Sequence, residues 1–161
     1  MNKSLGWLGL ILLVGGCRPS TAPSEHAQDE AHGHAHAHHA PHGGALTELG
    51  EEYAHVEVRV DAALGEIRLN LLDGESENPV RSKQTALSVT LKDGTALRLA
   101  AAANPLTGET VGDSSEFAGS SPTLRGIDRL EAVLERVDML GKSFEGVQLQ
   151  WPEGTHAGHE K

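Results

Sequence analysis

The chain has 161 residues, with 13 Lys and Arg against 23 Asp and Glu, for a formal charge of −10. That length fits one domain of ordinary size, and so acidic a chain lacks the concentrated basic surface that a nucleic-acid partner requires. A single Cys excludes an intrachain disulfide and any zinc or iron–sulfur site built on several thiolates.

Aromatic residues make up 3%, so the core must be aliphatic. The ten His are clustered: seven lie between His26 and His42, His156 and His159 lie near the C-terminus, and His55 alone sits in the body.

Residues 1–17 place Lys3 before an apolar run from Leu5 to Val14. The run is shorter than the ~20 residues of a membrane-spanning helix and has the shape of a secretory signal peptide. It ends in Val14-Gly15-Gly16-Cys17, which resembles the lipobox of bacterial lipoproteins. The resemblance implies cleavage after residue 16, lipid on the Cys17 thiol, and acylation of its amino group. It further implies a lipid anchor in the bacterial cell envelope. Arg18 in place of Asp points to the outer membrane, facing the periplasm.

Residues 17–42 then form a linker without a single large apolar side chain. Such a stretch cannot offset its ordering entropy by burial and is expected to be a disordered tether. Its pattern HGHAHAHH, followed by Ala-Pro-His, nominates His32, His34, His36, His38, His39 and His42 as metal ligands. Imidazole suits Zn²⁺, Cu²⁺ and Ni²⁺, and alternate residues of an extended chain point the same way. Glu25, Asp29 and Glu30 add oxygen ligands. Copper(I) prefers sulfur, and after processing Met139 is the one thioether left.

From Gly43 to Trp151 the pattern is that of short strands. Ala45–Leu49 should pair with the alternating segment 52–61, which sets Ala54, Val56, Val58 and Val60 on one face and Tyr53, His55, Glu57 and Arg59 on the other. Residues 66–72 alternate again, with Ile67, Leu69 and Leu71 inward. Residues 87–99 form a hairpin. A two-residue Asp93-Gly94 loop would set the apolar residues on opposite faces, whereas a three-residue loop, 92–94, pairs Val89 with Leu97 and Leu87 with Leu99. Residues 104–126, rich in Gly and Pro, read mainly as loop. The stretch 127–140 fits either a helix or a helical turn near 123–129 followed by a strand at about 132–139, and the second is preferred because Met139–Phe144 reads as a turn into a last strand, 144–151. Six to eight mostly antiparallel strands suggest an immunoglobulin-like β-sandwich over 43–151, with 152–161 a polar tail.

At the junction of tail and body the sequence runs PHGGALTELGEEYAHVEV. His42-Gly43-Gly44, Leu46, Leu49, His55, Val56 and Glu57, and more weakly Leu72-Asp73-Gly74, resemble a segment of small His-rich bacterial lipoproteins. A similar segment occurs in periplasmic adaptor subunits of heavy-metal efflux systems. The resemblance implies envelope location and metal handling, with a metal efflux or uptake complex as partner. The residues support a site in their own right. His55 and Glu57 lie two apart on one strand face, and pairing with the first strand brings His42 near Glu57. Two imidazoles and a carboxylate suit Zn²⁺ or Cu²⁺, a tail His supplying the fourth ligand. The alternative is that His55 and Glu57 are ordinary solvent-face strand residues.

Enzyme signatures are missing: the sequence has no phosphate-binding Gly-rich loop, GxSxG or HExxH. Two functions remain. One is a lipid-anchored binder of divalent transition metals, acting as buffer or transfer protein. The other is a non-catalytic envelope interaction module for which the His tract is a spacer.

Overall fold

The computed structural model describes residues 38–155. The expected signal peptide, the lipidation site Cys17, the ligands His32, His34 and His36, and the C-terminal His156 and His159 lie outside the described residues.

The described chain is mainly antiparallel β. Its strands are β1 (Ala45–Leu49), β2 (Ala54–Asp61), β3 (Glu66–Asp73), β4 (Ala86–Leu91), β5 (Ala96–Ala101), β6 (Glu116–Ser120), β7 (Leu130–Met139) and β8 (Lys142–Trp151). All belong to one sheet in the order β1-β2-β3-β6-β5-β4-β7-β8. The two sheets of an immunoglobulin-like sandwich are therefore replaced by one sheet that wraps until its ends nearly meet. After β8 the chain turns at Pro152–Gly154, and Thr155 forms a parallel bridge with Thr47. Glu48 N–H donates to the Thr155 carbonyl at 3.2 Å, and Thr155 N–H donates to the Leu46 carbonyl at 2.9 Å. The residues expected to trail away as a polar tail instead begin by closing the seam. The bridge covers part of the β1 edge that a fully open sheet would expose.

The core is aliphatic, as the composition requires. Val56, Val58, Ile67, Leu69, Leu71, Leu87, Leu99, Leu134 and Leu149 are buried around Phe117. The 87–99 hairpin has the expected register, with Leu87 opposite Leu99 and Val89 opposite Leu97. Its loop is Lys92-Asp93-Gly94, with Gly94 left-handed at φ 86°. Strand β7 and a short 3₁₀ turn at Pro122–Leu124 resolve the 127–140 ambiguity in favour of the strand.

Residues 104–126 are mainly loop and short 3₁₀ turns, as expected, but one strand lies among them. Strand β6 lies there and joins the two halves of the sheet, pairing with β3 on one side and β5 on the other. Its Gly119 is a packing residue: a Cβ there would stand 2.6 Å from Leu99 Cδ2. The glycine that reads as a loop signal is what lets β5 approach.

Strand β2 departs from the half-buried pattern in a way that places the site. Ala54–Val58 are buried without interruption, so both faces are covered. The inner face looks into the core. The outer face carries His55 and Glu57, flanked across the sheet by Leu46 on β1 and by Asn70 and Leu72 on β3, all buried. Residues 38–44, expected to be mostly tether, run over this outer face as a strap.

Candidate functional site

The strap is locked at Glu57. This side chain is fully buried, and three donors meet it. His42 N–H and Gly44 N–H donate to Oε1 at 2.9 and 2.8 Å, and His42 Nδ1 lies 2.6 Å from Oε2. A carboxylate oxygen only accepts, so His42 Nδ1 carries the proton and donates it. In the neutral tautomer that donates from Nδ1, Nε2 is a free lone pair, on a side chain 44% exposed.

The sequence makes this lock through local geometry. Gly43 N–H donates to the Ala40 carbonyl at 3.1 Å, closing a turn with Pro41 in its second position. Gly43 sits at φ 74°, a region that side chains disfavour. Gly44 has no room for a Cβ, which would stand 2.5 Å from the Val58 carbonyl and 2.8 Å from Glu57 Cγ. His42, Gly43, Gly44 and Glu57 thus form one hydrogen-bonded unit. Leu46, Leu49 and Val56 beneath it are buried.

His55 lies beside the lock, 2% exposed. Its Nδ1 is 3.1 Å from the Asp73 carbonyl, so here too Nδ1 donates and Nε2 is left as the acceptor. Asp73 is itself fixed, accepting from Glu77 N–H and from Asn78 N–H and Nδ2. Desolvation works to raise its carboxyl pKa. The Asn78 and Glu77 hydrogen bonds and the nearby His55 outweigh it, and the net shift is downward.

His38 packs on His55, with ring centroids 4.7 Å apart and planes tilted by 45°. His38 Nε2 is buried and has no hydrogen-bond partner among the described residues. Glu52 Oε1 stands 3.8 Å from it. His39 is exposed and contributes through its backbone, where the carbonyl accepts from Ser76 Oγ at 3.3 Å.

A ring that donates one N–H to a carboxylate or a carbonyl is held in the tautomer and orientation of a metal-ligating imidazole. His42 and His55 both meet that description. Glu57 does not fit the ligand role expected for it. Both of its oxygens are engaged, and it holds His42 instead. Among the described residues no three His, Cys, Asp or Glu side chains stand close enough to hold a metal together. The structure therefore brings His42 to Glu57 and His38 to His55, as two pairs.

A cleft of about 260 Å³ opens beside His42, lined among others by Pro41, Asn70, Glu77, Glu109 and Glu116. Glu109 was not legible as a special residue in the sequence. It is buried and accepts from Asn104 N–H and from Ser115 N–H and Oγ. Burial acts to raise its pKa, but those hydrogen bonds and the Arg81 charge prevail, and the shift is downward.

No protein-family model, curated protein or solved structure matches the chain at a significant level.

Proposed function

We propose that this is a lipid-anchored cell-envelope protein that binds divalent transition metals, Zn²⁺, Cu²⁺ or Ni²⁺, as a buffer or as a transfer protein serving a metal efflux or uptake complex. One observation carries the reading. At the root of the His tract, His42 is held by a buried carboxylate through Nδ1–H and offers Nε2 outward. A carboxylate behind an imidazole raises its basicity and fixes its direction, which is how proteins support metal-ligating His. The tract from His32 to His39 supplies further imidazoles within a few residues. The anchor rests on the Val14–Cys17 lipobox pattern.

The test is native mass spectrometry of protein purified without a metal-affinity column, followed by calorimetric titration with Zn²⁺. Bound metal at defined stoichiometry, with affinity reduced in His42→Ala, supports the reading. Metal-free protein with only weak, non-saturating Zn²⁺ uptake defeats it.

A second reading, the interaction module with a His-rich spacer, is favoured by a different observation. Leu106 is 94% exposed and Val111 66%, both on the loop between β5 and β6. Metal-independent binding to a transport complex that survives removal of residues 20–36 and fails in Leu106→Asp would select it.

A further inference from the structure

The segment between β3 and β4 carries two cations to one place. Ser82 is buried and bridges to Ser114, so its exposed neighbours Arg81 and Lys83 face outward on either side of it. Gln84 then fastens the segment to β7. Asp138 N–H donates to Gln84 Oε1 at 2.7 Å, and Gln84 Nε2 donates to the Arg136 carbonyl at 3.5 Å. A groove of about 430 Å³ results between this segment and the turn from β7 into β8. Its lining holds four cations, Arg81, Lys83, Arg136 and Lys142, and one carboxylate, Asp138. The whole chain has 13 Lys and Arg against 23 Asp and Glu, so the groove inverts the charge of the protein.

We propose that this groove binds a phosphate group, carried by an organic ester with an apolar part. The proposal uses none of the His residues and does not depend on the metal-binding reading.

Like charges gathered in one groove repel, so folding alone gives no reason to collect them. Three of the four cations are also held in place. Arg81 donates to Asp113 Oδ2 at 2.9 Å and to the Thr107 carbonyl. Arg136 donates to Asp138 Oδ1 at 2.8 Å and to Ser143 Oγ at 3.1 Å. Lys142 Nζ stands 3.5 Å from the centre of the Tyr53 ring. Cations fixed beforehand lose less freedom when an anion arrives. The two arginines are matched by Asp113, Asp138 and Glu145, whereas Lys83 and Lys142 have no carboxylate partner among the described residues. A phosphate ester brings about two negative charges and several strong acceptor oxygens, which suit two ammonium groups with arginine N–H groups beside them.

The rim supplies a second observation. Leu140 and Gly141 form the two-residue turn between β7 and β8, left-handed at φ 51° and 77°. Asn-Gly suits such a turn, and a leucine gains nothing from that backbone. Leu140 is nevertheless there, 47% exposed and lining the groove. An apolar tip beside two lysines fits an ester whose phosphate enters the groove and whose carbon chain meets the leucine. A lipid headgroup and a soluble phosphate ester share that chemistry.

The test uses the full chain carrying Cys17→Ser, so that a lipid anchor cannot hold it on vesicles. Chelator-treated buffer ensures that no His-bound metal bridges to phosphate. Hexyl phosphate is titrated by calorimetry, and flotation compares vesicles of phosphatidylglycerol with vesicles of phosphatidylcholine. Saturable binding that weakens as salt is raised is expected, with affinity lower by roughly ten-fold or more in the Lys83→Ala, Lys142→Ala variant. Lys83→Ala alone keeps the Lys142 contact with Tyr53 and should show part of the loss, and thermal melts check that both variants fold. Lys92→Ala, outside the groove, should change nothing. Binding to phosphatidylglycerol vesicles but not to phosphatidylcholine supports the site and assigns the bilayer as its source. Binding of hexyl phosphate without vesicle binding supports it and assigns a soluble ester. No binding of either probe overturns the inference, and so does binding that the Lys83 and Lys142 changes leave intact.

Discussion

Replacing Glu57 by Gln keeps the shape of the side chain and removes its charge. In the structure three donors converge on this buried carboxylate, at 2.6, 2.8 and 2.9 Å. Gln can present its carbonyl oxygen to the His42 and Gly44 N–H groups, and its amide NH₂ then faces His42 Nδ1, which must switch to the Nε2–H tautomer to accept from it. All three bonds lose their charge assistance, and the ring no longer offers Nε2 outward as a free lone pair. A hydrogen bond to a charged group contributes about 1.5–3 kcal/mol, against about 1 for a neutral one. The expected cost is about 2–3 kcal/mol. For a domain of this size 1 kcal/mol moves Tm by about 3–6 °C, so the melting temperature should fall by about 6–18 °C. His42→Ala should cost less, because it removes the ring bond of a half-exposed side chain and leaves both backbone donors on the carboxylate. Far-UV circular dichroism melts in chelator-treated buffer measure both. The same Glu57→Gln protein should bind Zn²⁺ through His42 about 10–100-fold more weakly, the usual effect of losing the group behind a ligating imidazole. A Tm within 2 °C of the parent, or a His42→Ala variant less stable than Glu57→Gln, would refute the lock.

Glu109 has a folded pKa below its ordinary value, so its ionised form stabilises the fold at neutral pH, and that contribution is lost as pH falls through the lowered folded value. Glu109→Gln should therefore unfold at lower urea than the parent at pH 7 and converge with it as the pH falls through the lowered folded value; equal midpoints at pH 7 contradict this. Gly154→Ala sets a Cβ against the Leu46 carbonyl and should open the seam at a cost of about 1–3 kcal/mol, read as faster hydrogen exchange at Glu48 and Thr155. Removing residues 20–36, none of them a large apolar residue, should leave Tm within about 2 °C, whereas extending the deletion through His42 takes away most of the lock and should not. Cys17→Ser should move the protein from the membrane to the soluble fraction, and retention in the membrane rules out the lipid anchor.

Much of the sheet was legible because its strands obey simple patterning. The 87–99 register followed from one requirement, that Leu87, Val89, Leu97 and Leu99 share a face. Two elements were obscured for physical reasons. Strand β6 carries one large apolar residue, Phe117, and a glycine that packing demands, so its composition imitates a loop. Strand β7 imitates a helix because its buried positions change phase. Leu130, Ala132 and Leu134 face inward, then Val137 and Met139 do, with Glu135 and Arg136 exposed between them. The step lies opposite Gly146 of β8, which is left-handed at φ 64°. A period of two with one skipped residue yields intervals of three and four, the signature of a helix.

The site was legible to a different depth. Pairing of the first two strands was enough to bring His42 to Glu57, because antiparallel register fixes neighbours without any knowledge of side-chain burial. What pairing could not convey is that the strap covers the outer face and turns two solvent-face residues into buried ones. That difference alters the chemistry. An exposed Glu57 would be a ligand competing with water, while a buried one, saturated by two backbone amides and a ring N–H, can act on a metal only through His42. The HGG segment is then explained residue by residue: His42 supplies the ring, Gly43 the left-handed turn and Gly44 the close approach of backbone to β2. The root of the His tract is thus fastened to the rigid wall of the sheet at one point. Flexible imidazoles bind metal at an entropic cost that falls when some ligands are fixed in advance. Under the proposed function, a His tract with His42 held on the sheet should bind metal more tightly than the same tract alone, and the folded body would contribute affinity without contributing most of the ligands.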